Sequence, residues 1–142
     1  MHKNLKLSIV PEKIELIKDV GLKVFGFFII GYPGETIEDI KKTIDFAREN
    51  DFDAIVLTCF HPLQGTPIFE KLLINGEVKN LKETSDYYEI TYAPKDLTIR
   101  QLKFWRVWGL IKFYTSSFNR LKIVLSHHSL RGKMFFIKKL LS

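Results

Sequence analysis

The apolar positions of the first 75 residues alternate between two spacings. In "PEKIELIKDVG", residues 11–21, Ile14, Ile17 and Val20 recur every third position with Leu16 beside them, which predicts a helix that stops at Gly21. "KVFGFFII", residues 23–30, is a short continuous run, as expected for a strand covered on both faces. Helical spacing returns over 37–49. There Ile37, Ile40, Ile44 and Phe46/Ala47 share one face, with Glu38, Asp39, Lys41, Lys42, Asp45 and Arg48 outside. A second apolar run, "DAIVLTCF" at 53–60, predicts another buried strand, and a helix follows from Pro67, a residue suited to a first helical position. Helix–strand–helix–strand order with short connections predicts parallel strands in an α/β fold.

Beyond residue 96 the pattern changes. Thr98 with Gln101 can cap a helix whose apolar residues include Leu102, Trp105, Trp108, Ile111 and Phe113, with Arg100, Lys103, Arg106 and Lys112 among them. "RGKMFFIKKLLS", residues 131–142, repeats this mixture. The net charge of +6 is divided unevenly: residues 1–96 carry 12 Lys/Arg and 16 Asp/Glu, whereas 97–142 carry 10 Lys/Arg and no acid. A boundary near Ala93–Leu97, marked by "APKD", separates an α/β region (1–96) from a basic helical extension (97–142). The extension is expected either to pack on the α/β region with its charges in water or to meet an anionic membrane surface. Its aromatics follow helical spacing and not a strand platform, which ranks nucleic acid last.

Composition narrows the setting. A chain of 142 residues is one domain or part of a larger one, and 46% hydrophobic content argues against disorder. The longest apolar run, "VFGFFII", falls far short of the roughly 20 residues of a membrane span. No secretory signal pattern opens the chain, and the single cysteine, Cys59, excludes an internal disulfide. A cytoplasmic location is expected, peripheral to a membrane if the tail engages one.

Candidate chemistry sits where the strands end. In "FFIIGYPGETIEDI", residues 27–40, Thr36 and Asp39 form a capping-box-like pair, so a helix begins at Ile37, while Gly31 and Gly34 permit backbone angles or approaches that a side chain would block. The carboxyl end of a parallel strand meeting a helix N-terminus is where α/β folds hold ligands, and the N–H groups of the first turn favour an anion or polar group. A capped turn with no ligand accounts for the same residues. No GK[ST] follows, which dismisses a nucleotide P-loop. The second strand ends similarly in "TCFHPLQGTPIFEKL", residues 58–72, and two such loops on one face point to a shared site. His61 either faces that site or is a hydrogen-bonded structural histidine. His127-His128 lack a metal-ligand set, and Glu38-Asp39 and Asp51/Asp53 fit solvated positions.

Gly31-Tyr32-Pro33-Gly34-Glu35-Thr36 after an apolar strand, an acidic helix, a second strand, then Pro62-Leu63-Gln64-Gly65-Thr66-Pro67 about 30 residues on, resembles the later half of a radical S-adenosylmethionine (SAM) core. The resemblance spans roughly residues 8–75; the tail is more loosely similar to the helical extension of the cobalamin-binding, magnesium-protoporphyrin ester cyclase-like group. It implies the late strand–helix units of a partial (β/α)6 TIM-like barrel. Gly31, Tyr32, Pro33, Gly34, Glu35 and Thr36 would border SAM on one side, Phe60, His61, Pro62, Gly65 and Thr66 on the other, with Glu35 and Thr36 mainly holding the loop and capping the helix. Cobalamin is a further cofactor that this resemblance admits.

In that family three cysteines spaced CxxxCxxC hold a [4Fe–4S] cluster whose open iron binds SAM. Cys59 stands alone, so no metal ligand or catalytic residue is expected here. A cluster would come only through a missing N-terminal barrel half, the expected partner, and the chain is expected to be a C-terminal portion of such an enzyme. The alternative is a non-catalytic relic or interaction module. Only "KLSIV", residues 6–10, precedes the first helix to pair the first strand's free edge. The nucleotides preceding this coding sequence are therefore expected to encode about four more strand–helix units with CxxxCxxC, in frame, across a frameshift or in an adjacent gene. An intact, unrelated gene there would contradict the enzyme reading.

Overall fold

The computed structural model describes residues 6–78 and 89–126. His127-His128 and the 131–142 segment lie outside the described residues. Helix α1, Val10–Asp19, follows a 3₁₀ turn at Leu7–Ile9, so residues 6–10 add no strand. Then come β1 (Phe25–Ile30), α2 (Ile37–Glu49), β2 (Ala54–Cys59), α3 (Pro67–Ile74), α4 (Ile99–Tyr114) and α5 (Phe118–Ser126). β1 and β2 pair in parallel from Phe25↔Ala54 to Ile30↔Cys59, making a β–α–β unit with α2 as the crossover.

The pleat divides the sheet into two unlike faces. Gly26, Phe28, Ile30, Ile55, Leu57 and Cys59 point toward the helices. Ile30, Ile55, Leu57 and Cys59 are buried there with Ile40, Ile44 and Ala47 of α2 and Leu102, Leu110 and Phe113 of α4. The opposite face carries Phe25, Phe27, Ile29 and Val56, exposed at 58%, 79%, 57% and 39%. Among the described residues α2 and α4 pack on the same side and no element covers the other, so only one of the two faces expected to be covered is covered here. α1 forms as its spacing predicts and buries only Ile14 of its apolar residues.

Gly109 lets α4 approach this unit closely. A Cβ on Gly109 would lie 2.7 Å from Leu57 Cδ2 and 2.9 Å from Ile44 Cγ1, inside contact distance, so only glycine admits the helix at this depth. Several basic residues of the C-terminal region are used within the fold. Lys112 pairs with Asp45 at 2.7 Å. Arg106 is 1% exposed. Arg120 of α5 donates to the carbonyls of Arg48, Asn50 and Phe52 at 3.0, 2.7 and 3.2 Å, with its guanidinium 4.2 Å from the Phe113 ring centroid. This cation satisfies carbonyls at the C-terminus of α2, where the helix dipole favours it, and so ties α5 to the α2–β2 turn. Phe104 and Trp108 stack in parallel on the outer side of α4. Among the described residues, no helix is long and apolar enough to cross a membrane.

The open sheet face has a direct consequence in solution. Covering a large apolar side chain contributes about 1.5–3 kcal/mol, so copies of the isolated chain should associate through Phe25, Phe27 and Ile29. Sedimentation velocity should show concentration-dependent association that Phe27→Lys reduces. A wild-type chain that stays monomeric across the concentration range would contradict this.

Candidate functional site

Both strand ends lead into the same local construction. After β1, Glu35 N–H donates to the Tyr32 carbonyl at 2.9 Å, with Pro33 and Gly34 at the centre of the turn. Gly34 has φ +82°, the left-handed value that the third residue of a type II turn requires. After β2, Thr66 N–H donates to the Leu63 carbonyl at 3.3 Å, and Gly65 has φ +76° at the matching position. Each turn delivers a threonine as helix N-cap. Thr36 Oγ1 accepts from Asp39 N–H at 3.3 Å while Asp39 Oδ2 accepts from Thr36 N–H at 3.2 Å, a complete capping box. Thr66 Oγ1 accepts from Phe69 N–H at 3.4 Å to start α3.

Glu35 organises the first loop. Its Oε2 accepts from the Gly31 N–H and, at 3.1 Å, from the Tyr32 N–H. Two donors that could have held an outside anion are thus occupied by a carboxylate. Beside Glu35 the loop therefore carries a negative group of its own, set apart from the N–H groups of the first turn of α2. Burial pushes the Glu35 carboxyl above its ordinary value, opposed by the Gly31 and Tyr32 hydrogen bonds, with the Asp39 charge adding a smaller upward push. The Thr36 hydroxyl and amide, then Lys42, hold Asp39 below its ordinary value.

The two loops touch. The Tyr32 and Phe60 rings meet edge to face with centroids 5.0 Å apart, and Phe60 meets Tyr92 at 5.8 Å. Phe60 N–H extends the ladder past β2 by donating to the Ile30 carbonyl at 2.7 Å. Of the other residues expected to border the site, His61 turns to Thr91, with Nδ1 2.6 Å from Oγ1, and Pro62 is buried. Gly34 and Gly65 lie at the loop tips with nothing within 4 Å of an added Cβ, so their backbones are open to an approaching ligand. Gly31 is different: a Cβ there would meet two Leu102 methyls at 3.0 Å.

Residues that sequence reasoning missed lie behind these loops. Leu102 backs Gly31, and Thr91 and Tyr92 pack beside Phe60 and His61, with Tyr92 Oη donating to Glu77 at 2.9 Å. Burial pushes the Cys59 thiol up to about 11; the nearby Arg106 charge opposes the shift and the Glu35 charge adds to it. Arg106 was legible only as a cation four residues after Leu102, on the buried stripe of α4.

No protein-family model matches the chain. It is 29% identical over 133 residues to an uncharacterized methyltransferase of Pyrococcus horikoshii, a match covering 90% of this chain and 27% of that protein. A threonylcarbamoyladenosine tRNA methylthiotransferase of Xenopus laevis is 34% identical over 83 residues, 57% of this chain and 15% of that protein. The ribosomal protein uS12 methylthiotransferase RimO of a Synechococcus strain is 48% identical over 40 residues, 28% of this chain and 8% of that protein. The chain thus spans about a quarter or less of the length of these curated relatives.

Glu35 supplies a prediction about this loop. Both N–H groups reach one oxygen, so the Gln amide oxygen of Glu35→Gln can accept both, whereas Glu35→Ala leaves them without it. Glu35→Ala is expected to cost about 1–3 kcal/mol in chemical denaturation, and Glu35→Gln clearly less. A carboxyl raised in the folded state contributes stability below its unfolded pKa and loses it as pH rises through the folded pKa. Wild type should therefore lose stability relative to Glu35→Gln as pH climbs from 4 toward neutrality. A pH-independent difference between the two would contradict the assignment.

Proposed function

We propose that this chain is the late strand–helix portion of a radical SAM enzyme and that the loops after β1 and β2 form one side of its SAM site. One observation carries the reading: Gly31–Thr36 and Phe60–Thr66 follow adjacent parallel strands, each passes through a glycine turn to a threonine cap, and they touch through Tyr32 and Phe60. Methylthiotransferases are radical SAM enzymes that use SAM and [4Fe–4S] clusters, and segments of several of them match this chain. The match over 133 residues is to a protein named as an uncharacterized methyltransferase. Transfer of a methyl or methylthio group is the reaction class that follows.

The chain's own residues do not fit a cluster. Its one thiol is buried and its pKa raised to about 11. Among the described residues, no three His, Cys, Asp or Glu side chains gather as metal ligands. A [4Fe–4S] cluster needs several thiolates, so in this reading it falls to the segment bearing CxxxCxxC. What these residues supply is the wall beside SAM. Gly34 and Gly65 let backbone approach the ligand, Tyr32 and Phe60 give an aromatic surface, and Glu35 adds a negative charge suited to a cationic or neutral group. The face of Phe25, Phe27, Ile29 and Val56 would turn into the barrel lumen, against strands supplied by the rest of the enzyme.

The test is SAM binding by calorimetry after anaerobic reconstitution with the cysteine-bearing segment. One SAM per complex is expected, with Tyr32→Ala and Phe60→Ala each weakening binding by about three- to tenfold. Absence of binding once the cluster is present, or wild-type affinity in both variants, would overturn the reading.

A further inference from the structure

α4 is anchored through its C-terminal half. Gly109 sits against Leu57 and Ile44, and fully buried Phe113 lies beneath the Arg120 guanidinium. The N-terminal turn of the helix, begun by the Thr98–Gln101 capping box, carries Leu102, which is also fully buried. Both Leu102 methyls stand 3.0 Å from where a Gly31 Cβ would be, so this side chain fills the space behind the first residue of the loop. One turn further on, buried Arg106 places its charge near Cys59, the last residue of β2. A single face of α4 therefore backs the ends of both strands.

We infer that Leu102 is a positioning residue for the Gly31–Thr36 loop, so that the C-terminal helix sets the geometry of the candidate ligand site. Gly31 begins the loop, and its N–H is one of the two that Glu35 gathers. If Leu102 recedes, Gly31 gains room to shift, and the Glu35 bridge and the Tyr32–Phe60 contact shift with it. Interiors are close-packed, so even a missing methyl is transmitted to the atoms that rested on it. Only the identity of the ligand rests on the radical SAM reading; the mechanical link rests on the packing.

The experiment compares Leu102→Ala with Phe113→Leu, which weakens the same helix at its distant end. Amide exchange read by NMR should show the Gly31 and Tyr32 amides losing about tenfold more protection than those of Ile40 and Ile44 in Leu102→Ala. Phe113→Leu should show no such selectivity, and Leu102→Met should restore the wild-type pattern. Should Leu102→Ala fail to fold, Leu102→Val carries the same comparison. A loss spread evenly over the chain, or equal in the Leu102 and Phe113 variants, would overturn the inference. With SAM as the probe, affinity should fall in Leu102→Ala and hold in Phe113→Leu; equal affinities would also count against it. If wild type binds no SAM, the radical SAM reading fails while the exchange pattern still decides the role of Leu102.

Discussion

The depth at which α4 lies against the β1–α2–β2 unit depends on two places where a side chain is missing. Gly109 lets the helix come within contact of Leu57 and Ile44, and Gly31 leaves the space that Leu102 enters. Between them Leu102, Arg106, Leu110 and Phe113 form the buried stripe that closes one face of a two-stranded sheet. A sheet this small is not stable alone; helices must supply its core. The C-terminal region is thus joined to the strand ends through one core, despite its different surface charge.

The two sides of the sheet have opposite characters. One is sealed by α2 and α4 and fastened by the Lys112–Asp45 pair and the Arg120 contacts. The other presents phenylalanine and isoleucine to solvent beside unpaired strand edges among the described residues. Such a face is at odds with an isolated domain and natural for strands that line the interior of a larger closed sheet.

Much of this was legible because local signals and tertiary structure coincide. The Thr36–Asp39 pair and the Ile37/Ile40/Ile44/Ala47 stripe place α2 at Ile37–Glu49, as observed. Gly34 and Gly65 mark turns because only positive φ serves there. What was not legible depended on partners distant in sequence. "FGFFII" is apolar at every position, and such a run cannot say which of its two faces is covered. Arg106 was expected to keep its charge in water if the extension packs on the α/β region, yet it is buried. α5 falls within the expected helical extension, but its bounds were not read from sequence, and the three backbone carbonyls that Arg120 meets lie about 70 residues away. Leu102 looked like one more helix residue; its contact with Gly31 appears only when the chain ends of the unit meet.

The central claim is that the two strand-end loops form one SAM-facing wall. Photocrosslinking with an azidoadenosyl analogue of SAM, in the presence of the cysteine-bearing segment and mapped by peptide mass spectrometry, tests it most directly. Label on both the 31–36 and the 60–66 peptides, displaced by excess SAM, is the expected result. Label confined to other surfaces, or to one loop alone, would contradict it.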